Sequence, residues 1–359
     1  MSVAVDQPGP VRGTREPRWW TGTPPLNGAQ FTVDARDYRP ASKSPGSDDL
    51  QTDPKMAERM REAFRDTGLV HVTHTGLSAL ADMRRLAMIV IDTEMLYEGG
   101  ANPRANLTPN VYEVGAPLTA WLHYHHEMAY IGQSTSMLGF LCHKTVAGRG
   151  DTYVSDNLQA TGALLETAFG RKLQELGLCY HRNLTDREAF QGRDEIGVYN
   201  HWQRSMRTED PQEAETKARE LGLEVEWGPD RLMKTRYTIS AFEYFPQLDR
   251  NVLFSSVADD AMWFDSWPKV MHLADEERPL KLTFGDGTPM TREEKAEFVD
   301  VYDRFGMPIP WQPGDVAVVC NYRFAHGRPG IHLRADEQRE LGVVMGKTFD
   351  RVGDIPGKW

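Results

Sequence analysis

Cysteine is scarce in this chain: three residues in 359, at Cys142, Cys179 and Cys320, with no CxxC pair among them. An odd number without paired spacing argues against a disulfide framework or a zinc ribbon and leaves the three as reduced, buried small hydrophobes. Long apolar runs are missing too, and nothing approaches the roughly 20 residues that a membrane-spanning helix needs. The first residues, MSVAVDQPGPVRGTREPRWW, carry prolines and charges where a secretory signal needs an apolar core, so a cytoplasmic location without a membrane partner is expected. Positive charge is in deficit, with 41 Lys and Arg against 52 Asp and Glu and a formal net charge of −11. Nucleic acid is therefore a poor partner, and an anionic small molecule needs a specific local arginine. There is no GxGxxG, no phosphate loop and no internal repeat, which removes the usual support for a nucleotide-binding doubly wound sheet.

What is present is an ordinary globular composition, 40% hydrophobic and 26% charged, in a chain long enough for one elaborated domain. Residues 1–50, rich in Pro, Gly and Ser, read as an irregular arm anchored by Trp19, Trp20 and Phe31. Residues 51–359 read as a single catalytic domain with helical insertions at about 184–225 and 260–306. Asp53 and Pro54 open a helix that Gly68 stops, and Thr291 with Glu294 forms a capping box for a second. Short strand-like stretches follow one another from Trp121: TAWLHYHHEMAY, STSMLGFLCHKTV, DTYVSD and, near the end, VAVVCNYRF. Many short strands with turn signals, and helices gathered at the front and in insertions, predict a mainly β protein with a sandwich or barrel core and flanking helices.

The chemistry concentrates in HYHHEM. On a strand, His125 and Glu127 leave the same face and can share a metal. Two imidazoles and one carboxylate make a facial triad that leaves positions open on iron, and His326 in NYRFAHGRPG is the candidate third ligand. His123 shares the face of His125 on an ideal strand, and a bulge would change which histidine serves. Taken alone, H-x-E is a common chance pattern, and its plain reading is a set of core or surface histidines.

Taken together, HHEMAY, GRGDT, LTFGDGTPM, WQPGDVAVVCN and AHGR, in this order over about residues 55–345, resemble the taurine dioxygenase (TauD/TfdA) superfamily and its clavaminate synthase-like branch. The resemblance implies a double-stranded β-helix (jelly-roll) fold, with iron(II), 2-oxoglutarate and dioxygen as cofactor and co-substrates. It implies that His125, Glu127 and His326 hold iron, and that Thr152 and Arg339 bind the 2-oxoglutarate carboxylate, a guanidinium being matched to a carboxylate fork. The stretch HLRADEQ is longer and more polar than the family pattern, so Arg334 and Arg328 stand as alternatives to Arg339. Tyr124, Trp202, Ser255 and Arg323 are candidate substrate contacts, with Ser256 beside them, and Asn321 is expected to order its strand. The segments Tyr97–Pro109 and Leu184–Met206 are candidate lids, with Tyr199 or Trp202 over the iron.

The implied reaction is hydroxylation of an unactivated C–H bond of a small polar metabolite, such as an amino acid, a betaine or a natural-product intermediate, with release of succinate and carbon dioxide. Desaturation or oxidative cyclisation would use the same chemistry. Halogenation would not, because halogenating relatives lack the carboxylate that Glu127 supplies. The rival reading is a metal-dependent hydrolase on the same three ligands.

Overall fold

Strand alternation and apolar content build the body of the molecule, in which the structure, a computed structural model, describes residues 17–38, 53–100, 104–189, 200–257 and 273–359. Val316–Cys320, with every residue buried, lies inside a seven-stranded sheet. Its order is Thr32–Asp34, Leu69–Thr73, Val316–Cys320, Gln133–Lys144, Glu340–Asp350, Val111–Glu113 and Asn106–Thr108. A four-stranded sheet faces it, ordered Gly306–Ile309, Thr152–Asp156, Phe324–Arg328 and Leu122–His125. Rings from the two sheets meet: Phe140 of the larger lies 5.4 Å from His326 of the smaller. This is the jelly-roll core with flanking helices that the sequence predicts.

The other face of the large sheet is covered by Pro54–Thr67 and Leu80–Ile91, whose Met56, Met60, Met83, Leu86 and Ile91 pack on Val70, Val72, Val316 and Val344. The first of these helices is closed at both ends as its sequence demands. Asp53 accepts from the Lys55 and Met56 amides, and Gly68 turns left-handed at φ 80°. The helix Arg292–Asp303 carries the full capping box of Thr291 and Glu294 and packs its Tyr302 against Tyr124 of the small sheet. Among the described residues, no helix is long and apolar enough to cross a membrane.

A further sheet, Leu280–Phe284, Leu178–Leu184, Met233–Ile239 and Glu224–Trp227, lies outside the two facing ones. Two expectations change here. The stretch 17–38 is not simply irregular: Thr32–Asp34 adds to the large sheet by pairing parallel with Leu69–Thr73, and Trp19 and Phe31 are buried. The region 260–306 contains a strand as well as a helix, because Leu280–Phe284 pairs with Leu178–Leu184. The first 16 residues and 39–52 lie outside the described residues.

The pairing of Phe324–Arg328 with both Leu122–His125 and Thr152–Asp156 leaves no room beside Gly327. A Cβ there would stand 2.4 Å from the Tyr153 ring and 2.5 Å from the Leu122 carbonyl. Gly327→Ala is expected to lower stability by roughly 1 to 3 kcal/mol, the range for overpacking a tight interior. Denaturant unfolding checks this, and an unchanged midpoint would show that the strands yield easily.

Candidate functional site

Register, more than sequence distance, assembles the site. His326 is the antiparallel partner of His125 on one side and of Val154 on the other, so the three share a face. The two imidazoles tilt against each other at 4.2 Å between centroids. Two residues before Val154 on the same face stands Thr152. Ligand atoms of His125, Glu127 and His326 all lie within 4.8 Å of one another, a spacing that could hold one divalent ion.

Glu127 does not reach this point along a strand. The strand ends at His125 and the chain turns, with Met128 at φ 56°. What holds the turn is Asn321. Its Oδ1 accepts from the Glu127 amide at 3.0 Å, and its Nδ2 donates to the Glu127 carbonyl at 3.0 Å and to the Thr135 carbonyl at 2.8 Å. His126 faces elsewhere, its Nδ1 at 3.1 Å from the Ser255 amide nitrogen and 3.2 Å from the Ser255 carbonyl while its ring stacks on Phe254. His123 instead lends its carbonyl to His125 Nδ1 at 2.8 Å, which puts a proton on Nδ1 and leaves Nε2 as the lone-pair donor.

Burial keeps the neighbouring imidazoles neutral. It pushes His126 down to about 3, and it holds His326 well below the ordinary histidine range, with the charges of His125, His126 and Arg104 acting in the same direction. Arg104 behaves oppositely. Burial lowers it, but the Glu127 carboxylate beside it, together with Tyr97 and Tyr130, raises it on balance. Its Nη2 donates to both Glu127 oxygens, at 2.9 and 3.0 Å.

One cavity touches the whole group. His125, Glu127, His326, Thr152, Arg339 and Arg104 all line it. Thr152 accepts from the Trp311 indole at 3.1 Å, which leaves its own hydroxyl proton to donate into the cavity. Arg339 is buried, and its Nε donates to the Gly150 carbonyl at 2.9 Å. Burial brings it down to about 10, opposed by Cys142 and Asp151. No salt bridge forms at Arg339 among the described residues. The alternatives are occupied differently: Arg334 is exposed against Glu337, and Arg328 donates to five backbone carbonyls, from Ala116 to Pro329.

The substrate candidates fare less well. Tyr124 alternates away from His125, is fully buried and donates to Asp303 at 2.9 Å. Trp202 is a core residue set edge-on to Trp227, and Arg323 pairs with Asp156 at 2.8 Å outside the cavity. Ser255 spends its backbone on His126, and it is Ser256 that lines the cavity. Tyr199 lies outside the described residues, as do 101–103 and 190–199 of the two candidate lids. Arg104 was missed by sequence reasoning. Its signal was there to find: it is the one charged residue between Glu98 and Glu113.

The family model described as "Taurine catabolism dioxygenase TauD, TfdA family" matches residues 34–345. The chain is 30% identical over 241 residues to a clavaminate synthase-like protein of Arabidopsis thaliana, covering 66% of this chain and 69% of the relative. It is 23% identical over 260 residues to the dapdiamide synthesis protein DdaC of Enterobacter agglomerans, covering 68% and 72%. A solved taurine dioxygenase from Burkholderia xenovorans aligns at a TM-score of 0.45 and 13% identity, over 91% of this chain and 87% of that one. With a family match that spans most of its length, the chain belongs to the TauD/TfdA dioxygenase family and is an iron- and 2-oxoglutarate-dependent oxygenase.

Proposed function

We propose that the protein hydroxylates an unactivated C–H bond of a small polar metabolite while converting 2-oxoglutarate to succinate and carbon dioxide. In this reading His125, Glu127 and His326 hold the iron, and Thr152 and Arg339 bind the distal carboxylate of 2-oxoglutarate. The observation that carries it is the convergence of three ligand atoms within 4.8 Å on a cavity that also receives a buried arginine. The donor chemistry fits a divalent iron: two imidazoles and one carboxylate, a set that leaves other positions open.

When bound, iron(II) supplies the redox chemistry that couples loss of carbon dioxide from 2-oxoglutarate to oxidation of the substrate. The rest falls to the chain. His123 orients His125 through its carbonyl, and Asn321 fixes where Glu127 stands. The buried guanidinium of Arg339 offers two parallel donors to a carboxylate, with the Thr152 hydroxyl as a third. Apolar walls, with Phe140, Leu280, Leu341 and Val343 among them, keep water from the reacting bond.

Three substitutions test these roles. His326→Ala is expected to abolish succinate release while the circular dichroism spectrum is retained, and turnover at the wild-type rate would remove His326 from the site. Arg339→Lys keeps the charge but loses the fork, so KM for 2-oxoglutarate should rise by roughly tenfold or more with a smaller change in substrate affinity. Equal KM values would return the role to Arg328 or Arg334. Asn321→Ala releases the Glu127 turn, and manganese(II) affinity measured by titration should fall roughly 10- to 100-fold, as for other groups that orient a ligand from behind. Unaltered affinity would mean that the turn holds itself.

A further inference from the structure

Arg182 is an anomaly. It occupies an inward position of the strand Leu178–Leu184, on the face that also carries Leu178, Tyr180 and Leu184, and it is 2% exposed. Its Nη1 donates to the Gly99 carbonyl at 2.6 Å, and its Nε reaches the Thr235 hydroxyl at 3.4 Å. Its Nη2 is buried with no acceptor, and among the described residues no carboxylate pairs with it. A charge taken out of water without a counter-ion is a heavy cost to a fold, and native proteins keep few of them.

Arg182 is not itself in the lining of the cavity already described, but its neighbours are, and it stands behind that wall. Leu280, its direct partner on the adjacent strand, lines that cavity. Tyr180, two residues earlier on the same face, has its hydroxyl 3.2 Å from the Ser256 amide, and Ser256 lines it as well. The guanidinium lies 5.2 Å from the ring centroid of Tyr130, another lining residue. On the other side, the Tyr130 hydroxyl is 3.5 Å from that of Tyr97, over whose ring Arg104 sits at 4.8 Å. Two buried guanidiniums thus flank one tyrosine pair. Arg104 Nε also lacks an acceptor.

We propose that Arg182 and Arg104 recognise a carboxylate of the prime substrate, so that the molecule oxidised is a small carboxylic acid. Arg182 has no carboxylate beside it among the described residues, so an anion in the site would supply its missing counter-charge. Two donors without acceptors, Arg182 Nη2 and Arg104 Nε, call for an acceptor-only group, which an ionised carboxylate is and an amide or a hydroxyl is not. The inference rests on the oxygenase reading above, since it takes the molecule bound here to be the one oxidised.

The test uses full-length protein loaded with manganese(II) and saturated with 2-oxoglutarate, which occupies Arg339 and prevents turnover. Straight-chain carboxylic acids from butanoic to octanoic and their primary amides are compared by thermal shift and by titration. At least one acid is expected to bind about tenfold or more tighter than its amide, the discrimination of a site built for a partner that the analogue lacks. Arg182→Met should erase that preference while its own Tm without ligand stays at or above wild type, because an uncompensated charge is replaced by an apolar chain. Equal binding of acid and amide, no binding of any acid, or an acid preference that survives Arg182→Met overturns the proposal. If Arg182→Met does not fold, the wild-type contrast and Arg104→Met decide it. The iron-loaded enzyme separates the two readings: no iron-dependent consumption of 2-oxoglutarate defeats the oxygenase reading, whatever the acids do, and acid-blind binding beside normal consumption defeats only this one.

Discussion

The pairing of Phe324–Arg328 between Leu122–His125 and Thr152–Asp156 is the constraint on which the rest depends. Because residues opposite each other on neighbouring strands share a face, this one register sets His125, Val154 and His326 in a row and places Thr152 two residues further along. A slip of one residue would send all of them to the other side, where Tyr124 meets Tyr302 and Asp303. The register is held tightly: Gly327 admits no side chain, and the Tyr153 hydroxyl donates to the Leu122 carbonyl at 2.8 Å. The site is a consequence of sheet geometry before it is a collection of reactive groups.

Within that frame, Glu127 is the member that strand geometry cannot deliver. The spacing of His125 and Glu127 suggests two outward residues of one strand, and the structure reaches the same convergence by ending the strand and turning. The turn needs an agent from elsewhere in the chain, and Asn321 provides it at a distance of 194 residues in sequence. Asparagine suits the task because one side chain both accepts from the Glu127 amide and donates to its carbonyl. A local pattern can therefore bring the right residues together for a reason other than the one it suggests.

Much of the fold was legible because its signals are local. Asp53, Pro54 and Gly68 mark a helix by satisfying its own ends, and Thr291 with Glu294 does so again. The buried run Val316–Cys320 announces a central strand. Less legible was anything that depends on which neighbour a side chain meets. Trp202 is as apolar over an active site as in a core, and only its packing on Trp227 decides. Thr32–Asp34 is too short to declare itself, and it becomes a strand because Leu69–Thr73 offers it an edge. Arg104 and Arg182 belong to the same class: each is one charge in a neutral stretch or at an inward position, and its meaning comes from what surrounds it.

The buried arginines show how an acidic protein can present positive charge where it is needed. Its net charge of −11 is spread over the whole chain, whereas each buried guanidinium is governed by its immediate contacts. Arg351 is neutralised by Glu243 at 2.9 Å, and Arg328 is spent on backbone carbonyls that hold the 116–120 turn. Arg104 faces Glu127. Arg339 and Arg182 have no such carboxylate among the described residues, although burial works against the charge of both. A fold selected for stability alone would replace such residues with apolar ones. Their burial without a carboxylate in contact, one lining the cavity and one behind its wall, is the pattern expected when two anions complete the site, one at Arg339 and one at Arg182.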